Sequence, residues 1–188
     1  MMTTMRRGAL MAVTLAGLMV ALPVAAHPGH APDSGFVSGL LHPLTGIDHL
    51  LALLAVGLWS RQQRHGMVLG PTFLILMALG AASAGGVALP ALELSIAATV
   101  LLLGVLAACA PALQRRMAPE LAVILVGACA FVHGLAHGHE LSGMASGAGF
   151  ILASALALLA GAIPAARLRR ALGMAIGSAG ALLVALAA

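Results

Sequence analysis

The chain alternates long apolar runs with short connections that hold most of its charge. A helix needs about 20 consecutive apolar residues to cross the hydrocarbon core of a bilayer. Six runs meet that requirement: Phe36 to Ser60, Met67 to Val87, Leu92 to Leu113, Pro119 to Leu141, Ala145 to Ala165 and Ala171 to Ala187. An earlier run, Leu10 to Leu22, is too short. It follows Arg6 and Arg7 and leads into Pro23, Val24, Ala25 and Ala26. A positive start, an apolar middle and a small-residue end make a secretory signal peptide, with cleavage expected after Ala26. The pattern predicts an all-α fold: a polytopic membrane bundle of six transmembrane helices over residues 36–188. A cleaved signal peptide at 1–26 and a periplasmic histidine-containing tail at 27–35 precede it.

Composition agrees. Hydrophobic residues make up 62% of the chain and charged residues 7%, against about 25% charged in an ordinary soluble protein. The net charge is +4, yet it does not build a nucleic-acid surface. The basic residues are nine arginines and no lysine, in small groups between apolar runs, and aromatics are only 3% of the chain. Arg61 and Arg64 follow the first run, Arg115 and Arg116 the third, and Arg167, Arg169 and Arg170 the fifth. Arginine-bearing loops stay in the cytoplasm. Both mature termini then face the periplasm, which places the protein in a bacterial inner membrane. Cys109 and Cys129 lie in apolar runs without a CxxC partner and read as small core residues. Gly143-xxx-Gly147 and Gly173-xxx-Gly177 suit close helix packing. The partners expected are the bilayer and a transported ion, with a homo-oligomer left open.

Ionisable groups are costly within a membrane, so each needs a reason. Here they cluster in two motifs: His42-Pro43-Leu44-Thr45-Gly46-Ile47-Asp48-His49, and His133-Gly134-Leu135-Ala136-His137-Gly138-His139-Glu140. At about 100° per residue, His42 and His49 fall within ~20° of each other on one helix face, and His133, His137 and Glu140 within ~60°. The two helices run in opposite directions. Antiparallel packing would put His49 level with His133 and His42 level with Glu140, in a ladder descending from the periplasmic surface. Imidazoles with a few carboxylates suit nickel, cobalt, zinc or Cu(II), whereas magnesium and calcium prefer oxygen shells. A proton relay and haem ligation by paired histidines are competing readings. Glu93 and Glu120 sit at helix starts, where they favour the positive end of the dipole. Asp33 and His65 read as solvated.

The two motifs resemble those of the HupE/UreJ family of nickel and cobalt permeases. Residues 42 to 49 follow H-P-x-x-G-x-D-H throughout. The second motif is similar to F-H-G-x-A-H-G-x-E, with Val132 in place of the aromatic. The resemblance implies uptake of nickel or cobalt for enzymes such as hydrogenase or urease. It also implies His42, Asp48, His49, His133, His137 and Glu140 as the metal-pathway residues. The freed amine and imidazole of His27, with His30, would add a capture site, although Pro28 lacks the N–H of a square-planar amino-terminal site. No tightly bound cofactor is expected. The sequence carries no P-loop, no HExxH and no Ser/His nucleophile set, so it reads as a transporter rather than an enzyme. The rival readings are an intramembrane zinc hydrolase and a haem-binding electron carrier.

Overall fold

The apolar runs fold as helices, but the first is cut in two. The computed structural model describes residues 35–113, 117–138, 140 and 143–188. The signal peptide, His27, His30, Arg115, Arg116 and His139 lie outside the described residues. Seven α-helices occur among those described: α1 (Phe36–Thr45), α2 (Ile47–Ser60), α3 (Leu69–Ser83), α4 (Leu92–Leu113), α5 (Pro119–His137), α6 (Met144–Ala162) and α7 (Ala166–Ala187). A 3-10 turn, Gly66–Val68, leads into α3. Five helical segments are long and apolar enough to span a bilayer alone; α1 and α2 would together make a sixth span.

The α1–α2 pair bends by 83°, so the expected single helix from Phe36 to Ser60 is corrected. The cause is local. Pro43 has no N–H to give and strains the turn before it. Gly46 then takes an extended conformation, φ −89° and ψ 104°. The groups freed by the break find partners nearby. The Thr45 hydroxyl donates to the His42 carbonyl at 2.8 Å, and Asp48 Oδ1 accepts the His49 N–H at 2.7 Å. A broken backbone at membrane depth is tolerated where it borders protein or a cavity, and Thr45 and Gly46 line one. The helical-face relation between His42 and His49 does not survive this bend. The fourth run also stops early: α5 ends at His137 and Glu140 follows in a turn, its N–H bonded to the His137 carbonyl at 3.0 Å.

The helices pack as α4 on α7, α3 on α5, α6 on both α1 and α2, and α2 on α4. Glycines set the closest approach. A Cβ at Gly134 would collide with the Met77 carbonyl of α3, and one at Gly138 with Ala81 and Ala84. The glycines of the second motif are therefore packing residues that press the histidine-bearing helix onto α3. Gly173 packs against Ala107 and Ala108, but Gly143 and Gly147 meet nothing among the described residues. Gly143 has φ +93° and serves the turn before α6, so the expected packing face there is corrected. Cys129 is buried as expected, whereas Cys109 is exposed on α4.

Arg169 donates to the carbonyls of Pro164 and Arg61, which joins the connections after α2 and α6 at one end of the bundle. The start of α5 borders Arg64 and His65 at a shared cavity. Its far end, about 28 Å away at 1.5 Å per residue, carries His137. The motifs thus occupy the end opposite these arginines.

Gly134→Ala is expected to lower stability by about 1–3 kcal/mol through overpacking. Gly147→Ala is expected to change nothing. Thermal unfolding of both variants in detergent tests the contrast.

Candidate metal centre

Two helix ends and one turn build the outer part of the site. His42 lies in the last turn of α1 and His137 in the last turn of α5. Helix C-termini carry partial negative charge and favour cations. Glu140 hangs from the turn after α5. His42 Nε2 is 3.0 Å from His137 Nδ1 and 2.9 Å from Glu140 Oε2, and His137 Nδ1 is 2.7 Å from the same oxygen. Protons cannot satisfy all three contacts at once. If both rings donate to the carboxylate, their N–H groups face each other; if one does not, its lone pair faces the carboxylate or is left over. A cation that accepts a lone pair from each atom resolves the conflict. The three atoms lie close enough together for one cation to reach all of them.

Burial increases inward from this triangle. Side-chain exposure is 53% for Glu140, 26% for His42 and 10% for His137, while residue exposure falls to 1% at His133 and 0% at His49. The His49 ring lies 4.7 Å from His137 and 5.6 Å from His133, centroid to centroid. Phe150 of α6 stacks on His49 at 5.0 Å, and Phe73 of α3 lies 6.1 Å from His133. The backbones of α2 and α5 are not closely packed against each other; the imidazoles and these two phenylalanines occupy the space between them. The expected levels of the ladder therefore appear, by a different route from the one expected. Beyond His49, Leu53 and Val56 follow one and two turns along α2, fully buried with Phe73, Met77, Val100 and Leu103.

A cavity of about 320 Å³ borders the site, lined among others by His42, Asp48, Glu93, His133, His137 and Glu140. A family model described as HupE / UreJ protein matches residues 11–188.

The chain belongs to the HupE/UreJ family.

Protein HupE of Rhizobium leguminosarum bv. viciae is 38% identical over 141 residues, covering 73% of this chain and 71% of that protein. No solved structure matches.

The geometry treats the residues of the two family motifs unequally. His42, His137 and Glu140 converge; His49 and His133 lie deeper; Asp48 accepts the His49 N–H in the first turn of α2 and borders the cavity without joining the triangle. His65 is exposed at the other end. Glu93 lies in the first turn of its helix as expected, and it also borders the same cavity as Asp48. Phe73, Phe150, Thr99 and Ser154 were not legible as site residues. The available signal was scarcity: only four phenylalanines occur in the chain, and two of them flank these histidines. Burial alone would raise the Glu140 carboxyl, but the hydrogen bond from His137 and the nearby charge of His137 and His42 hold it below its ordinary value. It stays ionised as the pH falls through the imidazole range.

Titration of the purified protein with Ni²⁺ is expected to show at least about tenfold weaker binding in His42→Ala, His137→Ala and Glu140→Ala. Glu93→Gln, which borders the cavity only, is expected to cost less and to reduce the salt dependence of binding. Glu120→Gln, at the start of α5, is expected to bind as wild type.

Proposed function

We propose that this protein is a permease that takes up a divalent transition metal, nickel or cobalt, across a bacterial inner membrane. Membership of the HupE/UreJ family supports a supply role for metalloenzymes such as hydrogenase or urease. The observation that carries the reading is the triangle of His42, His137 and Glu140 around a cavity at one end of a membrane bundle. Two imidazoles and a carboxylate are donors that suit a divalent transition metal such as Ni²⁺ or Co²⁺.

In this reading the arginine-bearing connections face the cytoplasm, and the cavity and both mature termini face the periplasm. The hydrated ion enters past Asp48 and Glu93, whose charges raise its local concentration. It exchanges water for His42, His137 and Glu140, then passes to His49 and His133. Fully buried apolar side chains separate these rings from the arginine end, so release requires the helices to shift. The break at Gly46 lies beside the site, as broken helices do in transporters that rock around a fixed midpoint. His27 and His30 would capture metal at the mature N-terminus. Haem ligation fits less well, because two axial nitrogens would stand about 4 Å apart across an iron, not 3.0 Å apart on one side of a carboxylate.

Proteoliposomes containing the protein are expected to accumulate radioactive Ni²⁺ or Co²⁺, and the His49→Ala and Glu140→Ala variants to lose most of that activity. Metal binds neutral imidazole, so uptake should fall once the external medium is acid enough to protonate these rings. Wild-type uptake in both variants, or uptake that rises on acidification, would contradict the proposal.

A further inference from the structure

His133 makes one polar side-chain contact among the described residues, and that contact constrains its chemistry. Its Nε2 lies 2.8 Å from the Thr99 hydroxyl of α4. The same hydroxyl lies 2.7 Å from the Ile96 carbonyl, three residues back on its own helix. A hydroxyl has one hydrogen and two lone pairs. A carbonyl can only accept, so the hydrogen goes to Ile96. Toward His133, Thr99 is then an acceptor, and Nε2 must carry the ring proton. The lone pair of a neutral His133 is thereby assigned to Nδ1, on a ring that borders the cavity.

We propose that Thr99 is a positioning residue for the transported metal. It holds His133 as the Nε2–H tautomer, so that Nδ1 is the nitrogen that receives the ion after the outer triangle. The proposal rests on the permease reading and names a residue outside both histidine motifs. His49 supports it. Its Nε2 faces the Ser154 hydroxyl of α6 at 3.3 Å, while its Nδ1 is buried with no partner. An unpartnered buried polar atom is costly, and a passing cation would satisfy it. Both inner rings therefore direct Nε2 to a hydroxyl of a neighbouring helix and leave Nδ1 unused. A positioned tautomer needs no proton rearrangement when the metal arrives, so the His133 Nδ1 acts as a ready second station. Loss of a group that orients a ligating histidine typically costs 10–100-fold in metal affinity.

The test uses the full-length protein in detergent micelles with ¹⁵N-labelled histidine. Long-range ¹H–¹⁵N correlation spectra separate the two tautomers, and His133→Asn identifies the His133 signals. The wild type should show Nε2–H. Thr99→Val, which keeps the shape and loses the acceptor, should shift His133 toward the other tautomer. In proteoliposomes it should raise the KM for Ni²⁺ about tenfold with Vmax little changed. Thr99→Ser should restore both. An Nδ1–H tautomer in the wild type, or Thr99→Val with unchanged spectrum and unchanged KM, would overturn the proposal. Absence of Ni²⁺ uptake by the wild type would instead overturn the permease reading, and the spectra would still decide the tautomer assignment.

Discussion

An imidazole or a carboxylate inside a hydrocarbon layer has no water to turn to, so its partners must come from the same chain. Much of the structure at the motif end follows from that constraint. The α1–α2 break frees backbone groups, and the Thr45 hydroxyl and the Asp48 carboxylate take them up. His49 and His133, the most deeply buried rings, each reach a hydroxyl on another helix. At the outer end, His42, His137 and Glu140 contact one another, and three acceptor-bearing atoms cannot be reconciled by protons alone. That unresolved contact supports the proposed role of the triangle as a place for a cation.

The helix class and most helix limits were legible because apolar length is a direct consequence of bilayer thickness. Leu92–Leu113 agrees at both ends. The bend at Gly46 was not read, although its cause was in view: a proline followed three residues later by a glycine, inside a motif with a histidine at each end. Spacing arguments treated that motif as one helix and put His42 and His49 on a common face. The rings do meet a common partner, His137, but they do so across an 83° bend. Glu140 likewise reaches His137 through a turn and not along a helical face. Glu93 was visible as a charge, yet a helix start explained it locally, and only the fold brings it beside Asp48. Thr99 and Ser154 gave no sequence signal, because hydroxyls in membrane helices usually bond to their own backbone.

The motif glycines show how packing and chemistry share one segment. His133 and His137 face the site while Gly134 and Gly138, each one residue later, press α5 onto α3. Larger residues there would move the helix that carries both histidines. Glycines do the same on the other side, where Gly39 and Gly57 approach α6 and Gly149 and Gly161 approach α1 and α2.

X-ray absorption at the nickel edge, on the purified protein loaded with one equivalent of Ni²⁺, reports the ion's own surroundings. If His42, His137 and Glu140 hold the ion, the spectrum should show a shell of nitrogen and oxygen near about 2.1 Å, with scattering from two imidazoles. One imidazole contribution should vanish in His42→Ala. Sulfur among the ligands, or a spectrum unchanged in His42→Ala, would contradict the assignment of the triangle as the metal site.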